Sequence, residues 1–330
     1  MTAPLRTTRT LLALWATVVA WQSACTAAND SMKRESDTAR NTRIDESTTV
    51  SSRDEIWLVS VRHVESGTRD LSKLKTEIYR DGCWHQSDLS TLVQAHSDDP
   101  NSDTVIYVHG NRTDEYWAKQ RGQTVFQNLF KSGPPRQTPV RFVIWAWNSD
   151  RNGRGRTDFS IKSKRASRLG ATFSATVDAF GQTKQPLIIG YSLGCQIIAK
   201  AFTYNWIPGP PTQYRIALIA PVLNCQFSRE CCQSTCRALS VSQSIVFVNH
   251  KDLAVRLAQQ LCNRKSEGNS YTIAQWVQRS DQPFGSNQLI NITPQSNCQH
   301  SVTKYTALKK VRHKILSLLD ENRQPPTTSR

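Results

Sequence analysis

Apolar residues along this chain gather into short solid runs, separated by stretches in which they recur at helical spacing. Leu187-Ile188-Ile189-Gly190-Tyr191 is the plainest run, bounded by Pro186, and reads as a strand covered on both faces. Beyond it Ile197, Ile198 and Ala201 fall on one helical face, so a helix begins within one residue of Ser192 and runs to about Tyr204. Further strands are expected at Glu55 to Val61, Thr104 to Val108, Arg141 to Trp147, Arg215 to Leu223, Ser244 to Val248 and Leu289 to Ile292. Glu77-Ile78-Tyr79 belongs to another, with Gly82-Cys83 as a turn. Helices are expected over Glu115 to Phe130, Lys164 to Phe180, from Asp252 to about Cys262, and Val302 to Leu319. Ser132-Gly133-Pro134-Pro135 and Pro208-Gly209-Pro210-Pro211 supply stops. Strands alternating with helices predict an α/β protein with a mostly parallel sheet and helices on both faces. The interval after Leu223 leaves no room for a large lid.

The two ends break this pattern. Arg6 and Arg9 precede an apolar run, Leu11 to Trp21, followed by small residues, so residues 1–28 read as a secretory signal. The run is too short for a good membrane span. Ser23-Ala24-Cys25 resembles a bacterial lipobox, with Gln22 where leucine is usual, which makes Cys25 a candidate lipidation site and membrane anchor. The alternative is cleavage by the ordinary signal peptidase near Ala27 or Ala28. Residues 29–52 have too little apolar surface to order themselves and read as a linker, and 321–330 as a tail. One domain, 53–320, remains.

Composition adds an address. The formal net charge of +16 favours acidic surfaces or ligands, and the leader contributes only two of the basic residues. Nine cysteines suit an oxidising compartment. Cys225, Cys231, Cys232 and Cys236 match no zinc spacing and read as disulfide cysteines, with Cys83, Cys262 and Cys298 as further partners; Cys195 reads as a buried thiol. No nucleic-acid motif accompanies the charge, and nothing calls for a metal or a cofactor.

Gly190-Tyr191-Ser192-Leu193-Gly194 is G-x-S-x-G between strand and helix, the context in which a serine is lifted onto a sharp turn as a nucleophile. A serine needs an imidazole to take its proton, and the imidazole needs an acid to hold its tautomer. Asp252 and His300 each follow an expected strand, in the order Ser, Asp, His. Asp150 also follows a strand, but opens the basic stretch Arg151 to Arg168, where arginines offer it plain ion pairing. His313 lies within a helix, and His250 sits too close to Asp252 in sequence to be oriented by it. His63, His85 and His96 have no supporting context. His109-Gly110 closes the strand before Asn111, so the N–H of Asn111 and that of Leu193 are candidates for an oxyanion hole.

The order of these residues and their strand ends resemble the α/β-hydrolase superfamily. Within it, Val108-His109-Gly110-Asn111, the run Phe142 to Ser149, and His300-Ser301 are similar to landmarks of bacterial hydrolases grouped as a domain of unknown function. The resemblance spans about residues 55 to 318 and departs at Tyr191, commonly histidine there, and at Asn148, commonly proline. It implies the fold and the catalytic apparatus, with no particular metabolite. The expectation is an exported envelope or periplasmic serine hydrolase acting on a small ester, thioester or amide, which the basic stretch makes a candidate for anionic substrates. A non-catalytic envelope protein using the same fold as a binding platform is the other class.

Overall fold

The computed structural model describes residues 53–133, 136–153, 155–181, 184–201, 214–223, 241–263, 286–296 and 299–320. The leader with Cys25, the linker, the tail, the lid expectation after Leu223, the cysteines at 225, 231, 232, 236 and 298, and the side chain of Cys262 lie outside the described residues. The chain is an α/β protein built on one nine-stranded, mostly parallel sheet in the order β3-β2-β1-β5-β4-β6-β7-β8-β9. Its strands are β1 (Glu55–Ser60), β2 (Lys75–Arg80), β3 (Cys83–Ser87), β4 (Asp103–Val108), β5 (Val140–Ala146), β6 (Leu187–Tyr191), β7 (Tyr214–Ile219), β8 (Val241–Val248) and β9 (Ser286–Asn291). All neighbouring pairs are parallel except β1 with β2 and β2 with β3, which add an antiparallel ribbon at one edge.

The helices are α1 (Leu89–Asp98), α2 (Glu115–Phe126), α3 (Gly155–Ala179), α4 (Gly194–Ala201), α5 (Leu253–Asn263), α6 (Thr293–Ser296), α7 (Val302–Ala307) and α8 (Lys309–Asp320). They cover both faces. On β5, Phe142 packs against Phe126 of α2 and Phe130 of the π turn that follows it, while Trp145, three residues along, meets Phe173 of α3. An odd separation on a strand puts the two side chains on opposite faces. All seven residues of β5 and all six of β4 are therefore buried, as a strand covered twice requires.

Three expectations need correction. The turn at Asp81 and Gly82, both with positive φ, leads into a third strand, β3, and α1 follows it; neither was expected. The long helix α3 begins at Gly155, nine residues ahead of the expected Lys164. Its early turns bury an ion pair, Asp158 with Lys162, at 1% and 0% side-chain exposure, so polar residues occupy inward positions and mask the helical period. The final helix is two, α7 and α8, separated by Leu308 in extended conformation. Within α7 the Thr306 hydroxyl donates to the carbonyls of Val302 and Thr303, which weakens the helical ladder ahead of the break. Of the expected disulfide cysteines, Cys83 is exposed and forms no disulfide among the described residues. Cys195 is buried and free, and burial pushes its thiol up from its ordinary value.

Candidate active site

Chain order places the site. From β4 the chain passes through α2 to β5 on one side, and from β6 through α4 to β7 on the other, while β4 and β6 are neighbours. Connections that leave adjacent strands in opposite directions open a crevice at their carboxyl ends. His109 and Gly110 follow β4 there, and Ser192 follows β6.

Ser192 has a φ of 53°, in the left-handed region that side chains other than glycine rarely enter. Three hydrogen bonds hold it: its N–H donates to Ile219, and its carbonyl accepts from Cys195 and Val222. The flanking glycines serve close packing of the helix and not a positive φ, which neither has. A Cβ on Gly194 would stand 2.4 Å from the Val108 carbonyl oxygen and 2.6 Å from that of His109; one on Gly190 would stand 2.6 Å from Ile198 Cδ1. They let α4 lie directly on the end of β4 and on its own strand, and the serine alone carries the turn. At Gly110 a Cβ would approach the Tyr191 ring at 2.8 Å and Ser192 Cβ at 3.0 Å, so the bare backbone keeps that side of the serine open.

Ser192, His300 and Asp252 come together. His300 Nε2 lies 3.0 Å from Ser192 Oγ, and its Nδ1 lies 2.6 Å from Asp252 Oδ2. A fully buried carboxylate accepting at Nδ1 fixes the tautomer with the proton there, which leaves Nε2 free to accept from the serine hydroxyl. The other carboxylate oxygen, Oδ1, accepts the Val255 N–H in the first turn of α5. The Tyr191 ring lies against the imidazole, with centroids 5.1 Å apart and planes inclined by 29°.

The backbone N–H groups of Asn111 and Leu193 donate to no group among the described residues. The loop bearing Asn111 is braced from several sides. Arg112, with φ of 55°, donates its N–H to the Ser149 carbonyl, and the Ser149 hydroxyl bridges both polar atoms of the Thr113 backbone. His109 is a strut: Nδ1 meets the Gly110 carbonyl at 2.8 Å, Nε2 accepts the Trp147 N–H, and the Trp147 indole N–H donates to the His109 carbonyl. Burial lowers its pKa to about 3, so the ring is neutral and can accept at Nε2.

The remaining candidates stand apart. Asp150 pairs with Arg62 at 2.5 Å, and the same guanidinium donates to the carbonyls of Thr113 and Trp147. His250 and His313 are exposed. His63 meets the Lys73 carbonyl, His85 that of Arg80, and His96 the Thr104 hydroxyl. Sequence reasoning missed two residues beside the carboxylate, Asn249 and Tyr305. A tyrosine and an asparagine of this kind read as core and turn; the only signal is their closeness in sequence to His300 and Asp252. No group of acidic, histidine and cysteine side chains suited to a metal occurs among the described residues. Compared with protein-family models, with curated proteins and with solved structures, the chain finds no match.

Proposed function

We propose that the protein is an exported serine hydrolase of the α/β-hydrolase fold, cleaving an ester, thioester or amide through an acyl-enzyme on Ser192. The observation that carries this reading is the unbroken chain Ser192 Oγ, His300 Nε2, His300 Nδ1, Asp252 Oδ2, at 3.0 and 2.6 Å, starting from a serine on a strained turn. His300 takes the hydroxyl proton as Oγ bonds to the carbonyl carbon, and Asp252 stabilises the imidazolium that forms. The carbonyl electrons move to oxygen, which accepts from the Leu193 and Asn111 N–H groups. The intermediate collapses, the bond to the leaving group breaks, and His300 returns the proton to that group. A water, deprotonated by the same histidine, then releases the acid product and restores the serine.

The substrate is a small molecule, and no cofactor or metal takes part. Export rests on the leader, with Cys25 as the candidate anchor to the envelope membrane. The basic stretch gives weaker support to an anionic substrate than its sequence suggests: Lys162 is buried against Asp158, and Arg165 is occupied by the Asn148 carbonyl and side chain. A fluorophosphonate should label Ser192. Ser192→Ala should abolish labelling and most ester hydrolysis, with roughly 10³-fold residual acceleration over water. Equal labelling of the mutant would overturn the assignment, and a folded wild type that resists labelling would favour the binding-platform class.

A further inference from the structure

Behind the serine–histidine pair lies a set of hydrogen bonds that the acyl-transfer steps do not use. Tyr305 on α7 is 1% exposed, and its hydroxyl lies 2.6 Å from Asp252 Oδ2, the oxygen that also receives His300 Nδ1. The same hydroxyl lies 2.5 Å from the carbonyl of Gln299, the neighbour of the histidine. Asn249 Nδ2 donates to the phenol oxygen at 3.1 Å. A phenol has one proton, and with Asn249 on its acceptor side that proton is directed towards the carboxylate and the Gln299 carbonyl. Asn249 is itself fixed, since its Oδ1 accepts the Lys251 N–H and its carbonyl accepts that of Asp252.

We propose that Tyr305, oriented by Asn249, is a positioning residue of the catalytic set: its hydroxyl holds Asp252 Oδ2 where His300 Nδ1 meets it and ties the histidine's loop to the same point. The inference rests on the serine-hydrolase reading. Burial and the charge of Asp252 hold the phenol well above its ordinary pKa, so it stays a donor wherever the carboxylate is charged. By donating to Oδ2 it draws off part of the charge that would otherwise favour the imidazolium. Among the described residues, the other titratable group packed against this cluster is Tyr191 of β6: its ring lies against those of His300 and Tyr305, and it makes no hydrogen bond to the carboxylate.

The test is the rate of fluorophosphonate labelling of Ser192 against pH in the full chain. Tyr305→Phe keeps the ring and removes the donor. Labelling at the optimum should slow about tenfold, the scale of a hydrogen bond to a charged group. The acid limb of the profile should rise by about half a pH unit, because an undiluted carboxylate charge makes His300 harder to deprotonate. Placed in Asp252→Asn, the same change should add almost nothing, since the tyrosine acts through the carboxylate. A ring that merely fills space would move neither the limb nor the coupling. Wild-type rate and limb in folded Tyr305→Phe, or a full extra loss in the double mutant, would overturn the inference while leaving Ser192 as nucleophile. Absence of labelling in the wild type would instead remove the underlying reading. Should Tyr305→Phe fail to fold, Asn249→Ala, which leaves the phenol in place, should shift the limb the same way with a smaller loss, and an unmoved limb there would count against the proposal equally.

Discussion

Ser192 keeps its strained backbone because its neighbours leave no other place for it. Its amide donates to Ile219 at the end of β7, its carbonyl accepts from Cys195 of α4 and from Val222, and Gly194 lets α4 rest on the carbonyls that end β4. Gly194→Ala would drive a Cβ into two backbone oxygens, which cannot swing aside as a side chain can. We expect a loss of about 2 kcal/mol or more in urea unfolding, with slower labelling from displacement of the Asn111 loop. Unchanged stability would mean the helix moves freely. The two aspartates make a second comparison. Asp252→Asn should preserve the fold and give His300 the wrong tautomer, costing several hundredfold or more in ester turnover. Asp150→Asn should cost little, because Arg62 retains its bonds to Thr113 and Trp147. The opposite ranking, in protein with unchanged melting, would move the acid to Asp150.

At the scale of elements, what the sequence made legible and what it hid have the same cause. β4, β5 and β6 were plain because a strand buried on both faces must be a solid apolar run. α3 was half hidden because Asp158 and Lys162 satisfy each other indoors, an arrangement hydropathy reads as surface. β3 has only exposed and half-buried positions, so it offers neither a run nor a clean alternation. At the site, Ser192, Asp252 and His300 could be ordered because each comes after an expected strand, whereas Tyr305 enters from a helix and carries no such mark. The buried pair allows a test. Asp158 also lies 3.7 Å from Arg112 and accepts the Asn152 N–H, so it joins the start of α3 to the Asn111 loop. Lys162→Met removes one partner and leaves the carboxylate inside, for which a cost of about 3 kcal/mol is expected in urea unfolding. A neutral result would show that Arg112 can replace the lysine.

For the whole molecule the decisive groups are those that folding forces to stay neutral. His109 has a folded pKa of about 3 against 6.5 for a free imidazole, and His96 is lowered as well, both chiefly by burial. A depressed histidine contributes stability that is fully present above the unfolded pKa. That stability is lost as the pH falls below 6.5, because the unfolded chain then binds protons the native ring refuses. Asp178 works in the opposite sense. Burial raises it to about 6, so the native carboxyl holds a proton that the unfolded one releases between about pH 4 and 6, and acid favours the fold there. Asp178 is only partly buried, so solvent screens it, whereas His109 is 2% exposed. The histidines therefore dominate. From pH 7 to pH 5, His109 alone should remove about 2 kcal/mol of stability. His96 adds to this and Asp178 offsets part, which leaves a melting temperature lower by several degrees at pH 5. Calorimetry across that range checks it, with the His109 ring followed by NMR. The ring should remain neutral in the native protein down to pH 5. A melting temperature that stays level or rises as the pH falls would mean that the native strut takes up a proton at Nε2 and gives up its bond to Trp147 at little cost.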